Sequence, residues 1–379
     1  MLQDRPIYQE DHRIFRQSVR TFFERELTPN IEKWEKAGII DRDFYLKSGE
    51  AGLLCPGVPE QYGGFGADFL YHAVVAEELA YQACSGPGFG VHSDICAYYL
   101  IHYGSEEQKQ TWLPKMVSGE VVAAIAMSEP AAGSDLQGIK TTAKRDGNHY
   151  VINGSKTFIT NGQHADIIIT VAKTDPEKGA HGISLIIIEA DRDGFSKGRN
   201  LDKMGQKSAD TSELFFDNVR VPITNCIGEE NQGFIYLMQE LPQERLSIAL
   251  SAMGAAQKAY DITTNYVKER QAFGKPIFGF QNTRFKLAEL KTDLTAGWAL
   301  THECLAELMD KKLTVEKAAM VKLWTTEMQG RLVDACVQLH GGYGYMNEYE
   351  IARIYVDSRV QRIYGGTTEI MKELISRHI

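Results

Sequence analysis

Hydrophobic and polar residues alternate with a period that changes twice along the chain. Up to about residue 120 the apolar positions recur at helical intervals, most clearly over Asp11–Arg25 and Phe69–Gln82. Ser105-Glu-Glu-Gln108 has the form of a capping box at the start of a further helix. The pattern therefore predicts a helical region over residues 1–120.

The middle of the chain has the shorter period of β-strands. Strand-length apolar runs lie at Val121–Met127, Ile167–Ala172, Ile183–Glu189 and Leu214–Val219. The dipeptides Asp146-Gly147 and Asn153-Gly154 are both typical of tight turns between strands. We therefore predict an antiparallel β domain over residues 121–227.

Helical periodicity returns from about residue 228. The helical segments lie near 231–269, 281–309, 314–340 and 348–375. With 379 residues, the chain exceeds the length of about 250–300 residues at which single cores stop growing. The predicted fold is a multi-domain α+β protein: an N-terminal helical domain (1–120), a central antiparallel β domain (121–227) and a C-terminal helical bundle (228–379).

Composition and charge narrow the possible functions. The net charge of −9 and the lack of a basic stripe argue against nucleic acid as a partner. No apolar run approaches the roughly 20 residues of a membrane span, and the N-terminus lacks the pattern of a secretory signal. The six cysteines have no metal-site spacing, which favours reduced thiols and predicts no metal. Motifs of Rossmann, P-loop, zinc-protease and serine-hydrolase sites are also absent from the sequence.

Two segments carry candidate chemistry. Ala126–Asp135 leaves a predicted strand and enters a loop of small residues, whose N–H groups and hydroxyls suit a pyrophosphate or the edge of a heterocycle. In Lys156–Gly162, Phe158 lies at strand spacing from Thr160, so the ring can cover a planar ligand while the hydroxyl bonds to its edge. Taken alone, the first segment is equally compatible with a tight loop that binds nothing, and a core aromatic residue is the commoner role for the second.

Together with four later motifs, these segments resemble the acyl-CoA dehydrogenase family over nearly the whole chain. The matching motifs are Glu129–Asp135, Asn153–Asn161, Asp217–Pro222, Arg270–Lys275, Gln338–Gly344 and Tyr364–Ile370. Each motif is weak alone, but their order and spacing make the resemblance specific. It implies a β domain between two helical domains, in agreement with the pattern above.

The resemblance also implies FAD as the cofactor. The residues implied near the isoalloxazine and pyrophosphate are Ile125, Ala126, Met127, Ser128, Gly133, Ser134, Phe158, Ile159 and Thr160. Those implied for the rest of FAD are Arg270, Gln281, Gln338, Gly341, Gly342, Thr367, Thr368 and Glu369. In this family Arg270 and the Gln338 segment usually reach the FAD of a neighbouring subunit, which implies a homodimer at least and usually a homotetramer.

The catalytic base departs from the commonest family pattern. Dehydrogenation of an acyl thioester needs a carboxylate to remove the α-proton and hydrogen bonds to the thioester oxygen. Many family members carry this Glu between the Tyr and Gly of a Tyr-Glu-Gly-Thr motif, where this chain has Gly365. The chain is therefore either an inactive homologue or one with a relocated base.

A second family arrangement places the base on a C-terminal-domain helix before an Arg, which is Glu244 here. This feature is most like the long-chain type and is similar to the isovaleryl type. Glu244 has an apolar or small helix face, and Pro242 is predicted to kink or loosen the helix. Glu240 and Glu369 are the alternatives for the base. Implied substrate contacts are Ser134, Pro242, Gln243, Arg245, Tyr364, Gly365 and Gly366, with the Gly365 N–H as a thioester donor.

The expected reaction converts a saturated medium- or long-chain acyl-CoA into the trans-2-enoyl-CoA, with electron-transfer flavoprotein as the electron acceptor. A branched- or short-chain enzyme of the isovaleryl kind and an oxygen-reacting acyl-CoA oxidase are alternatives within the enzyme class. A non-catalytic helical interaction protein is the alternative from another class. The expected location is the bacterial cytoplasm, or the mitochondrial matrix if the chain is a processed mature form.

Overall fold

The computed structural model describes residues 5–379, and its N-terminal region is helical. The helices are α1 (Glu10–Phe22), α2 (Ile31–Ala37), α3 (Asp43–Glu50), α4 (Phe69–Tyr81), α5 (Ala97–Tyr103) and α6 (Glu106–Ser118). The predicted capping box is confirmed, since the Ser105 hydroxyl accepts from the Gln108 N–H and the Gln108 side chain accepts from the Ser105 N–H. A π-helical segment, Gly90–Cys96, leads directly into α5.

Among residues 5–379, seven strands form the central sheet. They are β1 (Ala123–Ala126), β2 (Thr142–Asp146), β3 (His149–Thr160), β4 (Ile167–Lys173), β5 (Ile183–Glu189), β6 (Phe195–Asn200) and β7 (Thr211–Pro222). The sheet order is β1-β4-β2-β3-β7-β6, with β5 paired to β4. Most pairs are antiparallel as predicted, but β4 runs parallel to β1 and, over one residue pair, to β2. The prediction is wrong for these two pairs, which join strands distant in sequence.

The two predicted turns have different outcomes. Asp146-Gly147 lies in the connection between β2 and β3, as predicted. Asn153-Gly154 is instead inside β3, where the register with β7 shifts between Ile152 and Gly154. Gly154 has a φ of +151°, and a Cβ there would lie 2.4 Å from the Thr141 hydroxyl oxygen. The glycine therefore permits a bulge and a close approach of chains, not a hairpin.

The C-terminal region returns to helices. In chain order the elements are α7 (Gly233–Glu269), β8 (Gln271–Ala272), β9 (Lys275–Pro276), α8 (Gln281–Met309), α9 (Val315–His340), α10 (Glu350–Ser358) and α11 (Thr368–Ser376). The predicted segment 348–375 is two helices: α10 ends at Ser358, a 3₁₀ turn follows over Arg359–Arg362, and Gly365 and Gly366, with φ angles of +64° and +99°, lie in the connection to α11. The helix–β–helix order of the predicted fold is confirmed.

Helix α7 connects the regions of the molecule. It packs against α4 and α5 on the N-terminal side and against α8 and α9 in the bundle. At Gly254 a Cβ would lie 2.7 Å from the Glu77 carbonyl oxygen, so a glycine is needed where α7 crosses α4. Between residues 5 and 379, no helix has both the length and the apolar character needed to cross a membrane.

Candidate active site

Glu244 lies in the middle of α7 with its carboxylate almost fully withdrawn from solvent. Glu244 is only 5% exposed, and its Oε1 accepts a hydrogen bond from the Tyr99 hydroxyl at 2.9 Å. Burial raises the pKa of Glu244 to about 7; the Tyr99 bond opposes this rise, and the nearby Glu240 adds to it. A carboxylate with this pKa can accept a proton at neutral pH.

Glu240, one turn earlier, is buried but held by other groups. His102 Nδ1 lies 2.7 Å from its Oε1, and the Tyr103 hydroxyl donates to the same oxygen at 2.8 Å. The Tyr103 ring also stacks on Tyr236, with centroids 4.1 Å apart. The first alternative base is therefore fixed by hydrogen bonds that join α5 and α7.

Glu369, the second alternative, lies in the first turn of α11 and is exposed to solvent. A hydrogen bond from its own backbone N–H, followed by one from Thr367, lowers the pKa of its carboxyl. An exposed carboxylate with a lowered pKa is a weaker base than the buried Glu244. The two alternatives thus differ from Glu244 in the features that suit proton abstraction.

The Tyr364–Gly366 turn packs against α7 next to Glu244. The Lys322 ammonium, which is fully buried on α9, donates to the Gly366 carbonyl at 2.6 Å. The Arg245 Nε lies 3.5 Å from the Gly365 carbonyl, at the limit of a hydrogen bond. Burial, and then the neighbouring Arg245, lowers the pKa of Lys322 to about 8. Two cations from different helices therefore fix this glycine turn.

Gly365 itself has no room for an ordinary side chain. Its φ of +64° is in the left-handed region, and a Cβ would lie 2.3 Å from Cδ1 of Ile248. Ile248 follows Glu244 by four residues, so it lies on the same face of α7. The structure therefore brings the base candidate and the turn that lacks the usual carboxylate together on one helix face.

Three further residues of α7 lie within one turn of Glu244: Pro242, Gln243 and Ser247. The helix runs through Pro242 without ending, so the predicted loosening of the helix stays a prediction. The Gln243 side chain donates to the Asp94 carbonyl at 3.0 Å. The Ser247 hydroxyl, one turn after Glu244, is buried without a partner among residues 5–379. It is a free hydrogen-bonding group beside the candidate base.

A buried ion pair between Glu129 of the first motif and Lys156 of the second holds the loop after β1. The Lys156 ammonium lies 2.9 Å from Glu129 and 2.9 Å from the Met127 carbonyl. Glu129 also accepts from the backbone N–H groups of Lys140 and Thr141. Glu129 and Lys156 therefore shape the loop from within, and leave Gly133 and Ser134 exposed on its outer side.

Phe158 is turned outward at the end of β3. It has a φ of +60° and is 70% exposed, because the register with β7 shifts between Lys156 and Ile159. Ile159 points into the core, and Thr160 ends the strand. A ring that a bulge holds on the surface beside an open small-residue loop fits one face of a planar ligand such as an isoalloxazine.

Arg270 and the Gln338 segment lie elsewhere, around an open cavity of about 570 Å³. Its lining is Tyr266, Arg270, Ile277, Gln338, Leu339, His340, Gly341, Gly342, Tyr343 and Met346. The Arg270 guanidinium lies 5.5 Å from the Tyr343 ring centre, and a Cβ on Gly341 or Gly342 would meet open space. One cation beside exposed backbone N–H groups is a donor set that fits a phosphate.

Of the remaining predicted FAD contacts, Gln281 is exposed, whereas Thr367 and Thr368 already make hydrogen bonds within the protein. Gln281, the first residue of α8, is exposed. Thr367 caps α11 by accepting from the Ile370 N–H at 3.3 Å, and Thr368 donates to Glu327 at 2.8 Å. These two threonines have structural roles whether or not a ligand is bound.

Sequence reasoning missed Tyr99, His102 and Lys322. Each contacts a residue or turn that the sequence had singled out, but each comes from an element far away in the chain. Tyr99 and His102 lie on α5, where their spacing alone is that of any amphipathic helix. No motif marks these residues, so only the packing of α5 and α9 around α7 identifies them.

Comparisons with known proteins agree over the length of the chain. Three family models match: "Acyl-CoA dehydrogenase, N-terminal domain" over residues 9–120, "Acyl-CoA dehydrogenase, middle domain" over 124–219, and "Acyl-CoA dehydrogenase, C-terminal domain" over 231–379. The long-chain specific acyl-CoA dehydrogenase, mitochondrial, of Sus scrofa is 52% identical over 377 residues, which cover 99% of this chain and 88% of that protein.

Solved structures share the fold. The crystal structure of an acyl-CoA dehydrogenase from Geobacillus kaustophilus has a TM-score of 0.97 and 50% identity, and covers 99% of both chains. A glutaryl-CoA dehydrogenase from Mycobacterium smegmatis, solved in complex with FADH2, has a TM-score of 0.91 and 29% identity, with 98% of this chain and 95% of that one covered. The matches in sequence and in structure together show that this chain belongs to the acyl-CoA dehydrogenases, a family of FAD-dependent oxidoreductases.

Proposed function

We propose that the protein oxidises a saturated acyl-CoA to the trans-2-enoyl-CoA with Glu244 as the base that removes the α-proton. The observation that carries this proposal is the position of Glu244, buried with a pKa of about 7 beside the turn at Gly365. Gly365 offers only a backbone N–H where many other family members carry a carboxylate. A single carboxylate at Glu244 is therefore sufficient for the proton transfer.

The chain's residues divide the work around the thioester. The proton leaves the α-carbon for a carboxylate oxygen of Glu244, while the Gly365 N–H donates to the thioester oxygen as negative charge develops there. Lys322 and Arg245 hold the turn that carries this donor. FAD, when bound, supplies the acceptor for the hydride from the β-carbon. The burial of Glu244 excludes water that would otherwise solvate the carboxylate.

We infer that Ile125–Ser134 and Phe158–Thr160 hold the flavin ring and that the Arg270 cavity holds phosphate of another copy's FAD. Glu244 lies in the middle of α7 and Arg270 directly follows its last residue, so the helix axis between them spans about 39 Å. This separation of the base from the Arg270 cavity is in line with the family arrangement, in which the Arg270 segment reaches the FAD of a neighbouring subunit. In this proposal the protein is therefore a homotetramer.

A long-chain acyl group is the substrate we propose, since the 52% identical Sus scrofa relative is named for that specificity. A branched substrate of the isovaleryl kind is the alternative. Electron-transfer flavoprotein is the proposed acceptor, and molecular oxygen is the alternative acceptor. The bacterial cytoplasm, or the mitochondrial matrix for a processed chain, is the proposed location.

Replacement of the base tests the assignment. Glu244→Gln is expected to retain FAD and acyl-CoA binding but to slow anaerobic flavin reduction by about 10²- to 10⁴-fold, the usual contribution of general base catalysis. Glu240→Gln is the matched control, since it removes a buried carboxylate one turn away and is expected to slow reduction less than about tenfold. Undiminished flavin reduction in Glu244→Gln would contradict the assignment.

The substrate and acceptor require separate measurements. Rates of anaerobic flavin reduction across straight-chain acyl-CoA lengths and isovaleryl-CoA are expected to be highest for long straight chains. Turnover is then expected to depend on added electron-transfer flavoprotein. Equal turnover under air with stoichiometric peroxide would instead identify an oxidase.

A further inference from the structure

Tyr99 is the group that contacts the Glu244 carboxylate most directly. It is fully buried on α5, and its hydroxyl donates to Glu244 Oε1 at 2.9 Å across 145 positions of sequence. An ionised carboxylate only accepts hydrogen bonds, so the hydroxyl proton of Tyr99 lies between the two oxygens. Burial, and then the charge of Glu244, raises the pKa of Tyr99, so the phenol stays protonated.

Other titratable groups approach Glu244 from two helices. The segment that leads into α5 contributes Cys96, whose buried thiol has a raised pKa and is neutral. Helix α7 contributes Glu240 and Arg245, the first raising and the second lowering the pKa of Glu244. Glu240 is held by His102 and Tyr103, as described above. Tyr99 thus makes the hydrogen bond to the base, while Glu240 and Arg245 act on it through their charge.

We propose that Tyr99 is a positioning residue for the base: its hydroxyl holds one oxygen of Glu244 and favours the charged carboxylate, which leaves the other oxygen for the substrate's α-proton. This proposal rests on the proposed role of Glu244. Charge-assisted hydrogen bonds between a hydroxyl and a carboxylate are short and about twice as strong as neutral ones. Inside the protein, this bond replaces part of the hydration that Glu244 has lost.

The proposal predicts that loss of the Tyr99 hydroxyl and loss of the Glu240 charge shift the pKa of Glu244 in opposite directions. Loss of the Tyr99 hydroxyl removes stabilisation of the charged base, so the pKa of Glu244 should rise. Loss of the Glu240 charge removes repulsion, so the pKa should fall. A residue with a merely structural role would change stability or FAD content without moving this titration in a defined direction.

The test uses the FAD-loaded protein carrying Tyr99→Phe. The titration of Glu244 is followed by infrared difference spectroscopy, with the carboxyl band identified by its loss in Glu244→Gln, and separately by the pH profile of kcat/KM. Tyr99→Phe is expected to raise the midpoint by about one pH unit, and Glu240→Gln to lower it. The matched control is Tyr81→Phe, which removes a 2.7 Å bond from a tyrosine to the carboxylate of Asp261 and should leave the midpoint unchanged.

An unchanged or lowered midpoint in Tyr99→Phe would overturn the proposal. If that variant does not fold, site-specific incorporation of difluorotyrosine at residue 99 retains the ring and strengthens the donor. That protein is expected to show a lowered midpoint, and an unchanged one would again overturn the proposal. Failure of the base assignment is distinguishable, because Glu244→Gln would then reduce flavin at the normal rate whatever Tyr99 does.

Discussion

The two candidate ligand regions lie at different places along one helix and have opposite characters. Glu244 is buried on α7 and its carboxylate accepts from Tyr99 of α5, while Arg245 and Lys322 of α9 hold the Gly365–Gly366 turn beside it. Around Arg270, the cavity is open, and exposed Gln338, Gly341 and Gly342 line it. Proton transfer needs a desolvated base, whereas phosphate recognition needs accessible N–H donors.

The difference shows which part of the site one chain can complete. The hydrogen-bond donor and the charges around Glu244 are already in place in the folded chain, so the fold itself determines the pKa of Glu244. The Arg270 region has exposed donors around an open cavity, and in our proposal its phosphate ligand belongs to the FAD of another copy. We therefore expect substitutions in the first region to change titration and stability, and those in the second to change cofactor retention.

The largest expected effect is on stability at the closed region. Burial raises the pKa of Glu244 from 4.5 to about 7. The free energy of unfolding is therefore unaffected below about pH 4.5, falls as the pH rises from 4.5 to 7, and is lowest above pH 7, where the buried carboxylate is charged. Glu244→Gln should therefore stabilise the protein by up to about 3 kcal/mol at pH 8. The measurement is thermal unfolding from pH 5 to 8. The exposed Glu348→Gln is the control, and a pH-independent difference would contradict this account.

The next effect concerns the open region. Arg270→Ala is expected to weaken FAD retention by about 10- to 100-fold, since it removes charge-assisted hydrogen bonds to phosphate. Apparent FAD affinity can be measured by refilling the apoprotein. Arg331→Ala is the matched control, because this arginine also lies over an aromatic ring, 5.6 Å from Trp324. A shift in the Glu244 titration in Arg270→Ala would break the proposed separation of the two regions.

A smaller effect is expected at the glycine turn. Gly365→Ala should lower the free energy of unfolding by about 1–2 kcal/mol, because an alanine is strained at a φ of +64°. Gly147→Ala carries a similar strain, at φ +59°, but has open space around the Cβ. Comparison of the two variants by chemical denaturation separates the contact with Ile248 from the backbone strain. Equal losses would show that Ile248 moves aside freely.

The smallest expected effect is a partial rescue of the base. Gly365→Glu in the Glu244→Gln background restores a carboxylate at the usual family position, but its Cβ meets Ile248. Adding Ile248→Ala should therefore give more anaerobic flavin reduction than the same protein with Ile248. Greater reduction with Ile248 retained would show that the contact does not limit the new carboxylate.

Much of the fold could be predicted because local rules govern it. Helical periodicity identified α4 and α7, and the capping box at Ser105 identified the start of α6. Asn153-Gly154 failed as a turn signal, since the pairing of β3 with β7 and the nearby Thr141 determine the backbone there. The parallel pairing of β1 with β4 was also missed, because strand order depends on long-range contacts that no local pattern records.

The sequence by itself determined the family, the order of the domains and the candidate base, because motifs, spacing and the glycine at 365 are local facts. Only the tertiary structure decided the chemical environment of that base. Tyr99 lies 145 positions from Glu244, and Lys322 is 44 positions from Gly366, yet each pair is in contact. A pKa depends on burial and on the charges nearby, and both arise only when helices distant in sequence pack together.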